Sequence, residues 1–412
     1  MWIVLVTLLN LLLLNRTRIL FYLLMILGIH CSSSVAVYAH VDVPSSSRVV
    51  VGAERMEEYL PLLQGQRIGI LTNHTGRIGD AHIVDTLLAR GINICRIFAP
   101  EHGFRGEADA GERVASTRDQ KTGIEVVSLY GTNRKPKPEQ MQGIDIMLFD
   151  IQDVGLRFYT YLSSMHYMME ACAEQGIKFI VLDRPNPNGF YVDGPILDSR
   201  FRSFVGMHPI PIVHGMTLGE LARMINGEGW LANQEKCDLL VIPCLNYTHQ
   251  TRYELPIKPS PNLPNMRAIY LYGSLCYFEG TPISVGRGTD FPFQIYGHPK
   301  LKGNYTFTPH STSGAKNPPL KGEVCYGQDL RTLPSDSCIW QEGIDLKYLV
   351  DCYRQLGGGE HFFLPIFNKL TGVDYIREMI ISGADAEQIE ALWKDDVQQF
   401  RIQRKPYLLY EE

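Results

Sequence analysis

None of the short signatures that announce the commonest cofactor and nucleophile chemistries occurs in this sequence. Nine cysteines are scattered with no CxxC pair and no zinc spacing, which removes zinc ribbons and thioredoxin-type redox chemistry. No GxGxxG opens a helix after the first strand-like run, and no GxxxxGK precedes a Ser or Thr. Dinucleotide and P-loop sites are therefore not expected, and no cofactor is implied. The GxSxG elbow and the HExxH helix are missing as well, which demotes serine hydrolases and zincins. Positive charge is also short. Against 39 Lys and Arg stand 44 Asp and Glu, a formal net charge of −5, so the chain offers no electrostatic footprint for nucleic acid.

What is present is a long chain with ordinary globular chemistry. Its 412 residues, 45% hydrophobic and 20% charged, suffice for two domains with proper cores. The N-terminus is the exception. An apolar run, MWIVLVTLLNLLLL, precedes Asn15, Arg16 and Arg18, and a second run, ILFYLLMILGI, follows. The basic stretch, the second apolar run and the small residues Val37 and Ala39 before His40 read as a signal peptide over 1–39. An uncleaved membrane anchor is the competing reading. Cys31 follows Gly-Ile-His, a poor lipoprotein site. An exported protein is expected, periplasmic or secreted. In an oxidising compartment Cys325 and Cys338 form a candidate bridge, while Cys95 and Cys172 read as core thiols.

From residue 48 onward the pattern is regular. Short apolar, β-branched runs recur at 67–72, 93–99, 144–150, 177–183 and 237–243, with amphipathic stretches between several of them. That alternation predicts an α/β fold built on a parallel sheet with right-handed connections. The clearest helix is FYTYLSSMHYMMEACAEQG, where Phe158, Leu162, Met165, Met169 and Cys172 make a core stripe and Gly176 ends it. Four prolines between Pro256 and Pro264 mark a boundary or a rigid cleft-lining loop. The first domain is thus expected over 48–265. The second, a smaller α+β domain over 266–412, would close the cleft.

The polar motifs fall at corresponding places. LTNHTG, APEHGFRG, DIQDVGLRFYT and DRPNPNG each follow a predicted strand, and ligands of open α/β sheets bind at that edge. Asn73, Glu101, His102, Asp150, Asp153, Arg157, Asp183, Arg184 and Asn188 all lie in these loops. Asn, Asp and Gly also serve plain turns, so one loop alone would decide nothing. The set is rich in carboxylates, which suits glycoside hydrolysis by an acid and a second carboxylate. Glu101, between Pro100 and Phe104, is the candidate acid, with Asp150 or Asp153 as the second group. A metal site from Asp150, Asp153 and His102 is the lesser reading. Glu170 shares a helix face with Tyr159, but eleven residues of helix place it roughly 16 Å along the axis. It is expected to be a solvated helix residue.

At these motifs, and at PIVHGMTLGELA and FEGTPISVGRGTDFPF with its following GHP, the sequence resembles the exo-β-N-acetylmuramidases of the NamZ type. The likeness runs from about residue 50 to the C-terminus, in order. It implies a Rossmann-like N-terminal domain joined to a smaller C-terminal one. It also implies release of terminal N-acetylmuramic acid from the non-reducing end of peptidoglycan fragments. Carried onto this chain, His102, Arg105, Arg157 and Tyr159 would line the sugar site, with His214 a contact or a satisfied loop residue. A guanidinium from Arg157, Arg184 or Arg287 would match the sugar's lactyl carboxylate. One departure is Gln294, where many resembling chains carry Glu. Two other readings remain: a muropeptide-binding protein without activity, and a metal-dependent hydrolase using the same loops.

Overall fold

Where apolar runs alternate with amphipathic stretches, the chain winds a parallel sheet. The computed structural model describes residues 48–101, 103–104, 117–333 and 343–412. Strand β1 (Arg67–Thr72) leads into a small antiparallel hairpin of β2 (Arg77–Ile78) and β3 (Ala81–His82). Then come β4 (Asn93–Ala99), β5 (Thr117–Arg118), β6 (Glu125–Ser128), β7 (Ile146–Asp150), β8 (Lys178–Leu182) and β9 (Leu239–Ile242). The main sheet has the order β5-β6-β4-β1-β7-β8-β9. All its pairings are parallel except that of the edge strand β5 with β6. The chain runs outward from β1 through β4 to β6, then returns to the other side of β1 as β7. That reversal opens a crevice at the carboxyl ends of β1 and β7.

Both faces of the sheet are buried, and the two-residue period of a strand divides them. Ile68, Ile70, Ile146, Leu148, Ile180 and Leu182 join one core cluster with Tyr59 and Leu63 of the helix Met56–Leu63 and Ile83 and Leu87 of the helix Ile83–Ala89. Leu71, Met147, Phe149, Phe179 and Val181 point the other way. They meet Leu162, Met165, Met169 and Cys172 of the helix Tyr161–Gln175, the stripe predicted from its spacing. Gly176 caps this helix in the left-handed region at φ 64°. The helix begins later than the apolar periodicity implies. Leu156 bridges to Val213, and the Arg157 amide donates to the Ile212 carbonyl at 2.8 Å. Phe158 and Tyr159 are thereby held in a turn before the N-cap, Thr160.

The helix Met266–Leu275 opens the C-terminal half, with Asn265 as N-cap. A three-stranded antiparallel sheet follows, β10 (Ile295–His298), β11 (Tyr305–Phe307) and β12 (Cys325–Asp329), in the order β10-β12-β11. Helices Lys347–Gln355, Tyr375–Ile381 and Lys394–Arg404 complete it. The core on the 161–175 side of the main sheet continues without interruption into Leu275, Phe278, Leu349, Trp393 and Phe400. The last residues fold back onto the first half. The Leu409 amide donates to Glu220 Oε1 at 2.8 Å, Tyr410 Oη to Asp183 Oδ2 at 2.6 Å, and the His249 amide to the Glu411 carbonyl at 2.8 Å. At the other end Val50 bridges to Leu245.

Two sequence expectations are corrected. Strand β6 was not among the predicted runs, because its four residues EVVS are too short to show a period. Glu170 is buried rather than solvated. Its Oε1 lies 3.1 Å from His166 Nε2 and accepts from the Ala232 amide at 3.0 Å, and its Oε2 pairs with Lys135 at 3.1 Å. Burial opposes the charge, but these partners outweigh it and hold the carboxyl at about 2. Among the described residues Cys95, Cys172 and Cys325 are free thiols. Cys338 and the N-terminal segment with Cys31 lie outside the described residues, so the expected bridge and signal fall there too.

Candidate active site

The four strand-end loops lock onto one another at the crevice. Thr72 Oγ1 donates to the Asp150 carbonyl at 2.8 Å, and the Gln152 amide donates to Thr75 Oγ1 at 2.9 Å. Asn188 Nδ2 reaches the Val154 carbonyl at 2.8 Å. Gly155 sits at φ 80°, and a Cβ there would fall 1.9 Å from Asn186 Oδ1. Only glycine permits that turn beside the Asn186 side chain. The proline-rich segment 256–264 straps across the loops. Tyr159 Oη donates to the Pro259 carbonyl at 2.9 Å, and His74 Nε2 lies 2.9 Å from the Lys258 carbonyl.

The strap faces two cavities of about 320 Å³ each. Pro256 and Ile257 line one, with Thr75, Gln152, Arg77, Arg184 and Tyr253. Ser260, Asn262 and Leu263 line the other. There the first half contributes Glu101, Tyr159, Thr160 and Tyr161, and the C-terminal half Tyr272, Glu279, Arg287 and Phe293. Thr160 Oγ1 donates to Glu101 Oε2 at 3.0 Å, so the residue that caps the 161–175 helix also fixes the acid. Tyr159, Tyr272 and Phe293 form edge-to-face contacts along one wall.

The other sequence candidates separate by burial and partners. Asp150 is fully buried, and Arg184 grips it with two bonds, Nε to Oδ1 at 2.5 Å and Nη2 to Oδ2 at 3.0 Å. Asp153 is buried too; burial chiefly raises the phenol pKa of Tyr159 and Tyr161, and neighbouring charges, Asp153 among them, add to it. Its Oδ1 accepts from the Gly155 amide at 2.7 Å, while its Oδ2 has no hydrogen-bond partner among the described residues. Burial pushes its carboxyl up to about 7. Neither aspartate lines the cavity that Glu101 faces. Asp183 accepts from Thr217 Oγ1, Tyr410 Oη and the Gly219 amide, and burial raises it to about 6. It ties the helix Leu218–Gly227 and the C-terminal tail to β8.

Arg157 donates to four carbonyls, those of Pro195, Ile210, Leu370 and Thr371. It is therefore a clamp between the two halves, and burial lowers its pKa to about 10. His214 is buried, accepts from the Met216 amide at 3.2 Å, and is depressed to about 3 by burial. Asn73 accepts from the Thr75 amide and hydroxyl, shaping its loop. Gln294 Oε1 accepts from Asn265 Nδ2 at 3.1 Å, a contact an ionised Glu would also make, and it does not line the cavity. His102 and Arg105 lie outside the described residues. Among the described residues no three His, Cys, Asp or Glu side chains gather as a metal site.

Glu279 and Tyr161 were not singled out from the sequence. Glu279 stands in FEGTPI, one of the motifs that carried the resemblance, but a lone Glu before Gly-Thr-Pro reads as a turn residue. Its partner Arg287, eight residues on, is the signal: Arg287 Nε donates to Glu279 Oε1 at 2.6 Å.

Comparison with known proteins agrees with this architecture. The model of the exo-β-N-acetylmuramidase NamZ N-terminal domain matches residues 68–267, and that of its C-terminal domain matches 270–410. The peptidoglycan β-N-acetylmuramidase NamZ of Bacillus subtilis strain 168 is 38% identical over 409 residues, 94% of this chain and 97% of that protein. A crystal structure of a DUF1343 family protein from Bacteroides fragilis NCTC 9343 is 56% identical with a TM-score of 0.83, covering 89% of this chain and all of its own. A second DUF1343 structure from that organism is 29% identical with a TM-score of 0.73, covering 88% of this chain and 99% of its own. Matched across both halves by the family's models, the chain belongs to the NamZ family of exo-β-N-acetylmuramidases.

Proposed function

We propose that this chain is an exo-acting glycoside hydrolase that releases N-acetylmuramic acid from the non-reducing end of peptidoglycan fragments, with Glu101 as general acid. The observation that carries the assignment is the Glu101 carboxylate facing a cavity of about 320 Å³ shared by both halves. Small-molecule sites span roughly 300–1,000 Å³, so this one suits a single terminal sugar better than a glycan strand. The aromatic wall of Tyr159, Tyr272 and Phe293 offers apolar surface to the C–H face of a pyranose ring. Thr160 fixes the acid's orientation, the condition under which a positioned carboxyl transfers its proton to a leaving oxygen. In this reading Asp150, Arg184 and Asp153 do not touch the sugar, since none of the three lines its cavity.

Export goes with this assignment. The basic residues and the apolar run after them support a signal sequence, and peptidoglycan lies outside the cytoplasmic membrane. Among the described residues no helix is long and apolar enough to cross a membrane.

Turnover of a chromogenic N-acetylmuramic acid glycoside tests the assignment. Glu101→Gln should lower kcat roughly 100- to 10,000-fold while leaving N-acetylmuramic acid binding measurable. A wild-type chain that binds the sugar and hydrolyses nothing is a receptor, and that result overturns the enzyme.

A further inference from the structure

N-acetylmuramic acid differs from N-acetylglucosamine by one group, a lactyl ether on O3 that ends in a carboxylate. An enzyme that separates the two sugars therefore needs a cation where that carboxylate falls. The sequence offers three guanidiniums, and their partners decide among them. Both terminal nitrogens of Arg157 are engaged by main-chain carbonyls. Arg184 is held on Asp150 and lines the other cavity. Arg287 faces the cavity that contains Glu101. Its Nε is bonded to Glu279, and among the described residues no hydrogen bond engages either Nη.

The local chain is built to place this side chain. Gly286 and Gly288, on either side of Arg287, adopt φ 77° and 81°. A Cβ on Gly288 would fall 2.4 Å from the His310 carbonyl, and one on Gly286 would fall 2.6 Å from Ile295 Cγ1. Residues with side chains are thus excluded at both flanks. The guanidinium carbon sits 5.1 Å from the centre of the Phe293 ring, and Cys276 Sγ steadies the other oxygen of Glu279 at 3.8 Å. Burial opposes the Arg287 charge, but Glu279 outweighs it and raises the pKa, so the group remains a cation.

Resting on the glycosidase reading, we infer that Arg287, oriented by Glu279, holds the lactyl carboxylate of N-acetylmuramic acid and so makes the C-terminal half the specificity element of the site. With Nε taken by Glu279, the two Nη groups remain for a carboxylate, and planar fork geometry favours Arg over Lys for that contact.

Calorimetry with N-acetylmuramic acid, its lactyl methyl ester and N-acetylglucosamine provides the test. Wild-type protein should bind the free acid roughly 10- to 100-fold more tightly than the ester. In Arg287→Gln that gap should vanish, with the acid weakened to the ester's affinity. If Arg287→Gln does not fold, Arg287→Lys serves instead and should narrow the gap several-fold. Equal binding of acid and ester by the wild type overturns the inference, as does a gap that either folded variant leaves unchanged. Turnover of the glycoside is measured separately. A protein that shows the acid–ester gap without turnover loses the glycosidase assignment and keeps the carboxylate site.

Discussion

Asp150 has no access to water, so its charge rests on Arg184 and the dipoles around it. Removing one member of a buried pair leaves the other uncompensated, at a cost of about 3–5 kcal/mol. Asp150→Ala should lower the unfolding free energy by that amount, read from urea denaturation. An effect below about 1 kcal/mol, typical of surface pairs, would show the pair to be solvated. Asp153 makes a pH-dependent prediction. Its folded value of about 7 stands above the roughly 3.9 of an unfolded aspartate. Between those limits the native chain keeps a proton that the unfolded chain has released, so stability falls as pH rises from about 4 to 7 and levels off above. Asp153→Asn should remove much of that fall, gaining roughly 2–4 kcal/mol at pH 8 relative to its effect at pH 4. Identical slopes in the two proteins would refute it. Glu101 stood out as a candidate because it lies on a strand-end loop of an α/β sheet, the edge where ligands bind. The partners of Arg157 could not be read in the same way. The carbonyls that occupy it come from residues up to 214 positions away, and no local pattern announces them.

At the level of elements, the parallel strands were readable because burial on both faces leaves uninterrupted apolar runs. The helix Tyr161–Gln175 was readable in its stripe and its stop, while its start was set by pairing of Leu156 with a distant strand-like segment. Its end gives a clean experiment. Gly176 is left-handed at φ 64°, and nothing lies within 4 Å of where a Cβ would stand. Gly176→Ala should therefore cost only the backbone penalty, about 1 kcal/mol, with unchanged activity. A neutral result would mean that the helix end relaxes. The strap over 256–264 was foreseen from its prolines alone, but its bonds to Tyr159 and beside His74 were not, since prolines announce stiffness and not destination.

For the molecule as a whole, one core joins the sheet to the C-terminal helices, and residues Arg48–Glu412 cluster as a single unit. The tail reinforces this. Deleting 405–412 would strip Tyr410 from Asp183 and the Leu409 amide from Glu220, both buried. The expected loss is roughly 3 kcal/mol or more, seen as one earlier transition by circular dichroism rather than two. A separate early transition would mean that the halves fold independently. The same tail places the two ends of the described chain together. Val50 pairs with Leu245, while Tyr410 and Glu411 bind Cys244 and His249, so beginning and end are moored to one six-residue stretch. In terms of connectivity residues 48–412 are nearly a closed ring. A short peptide joining residue 412 to residue 48 would complete it, and the chain could then be opened at an exposed loop elsewhere with its fold and its sugar cavity intact.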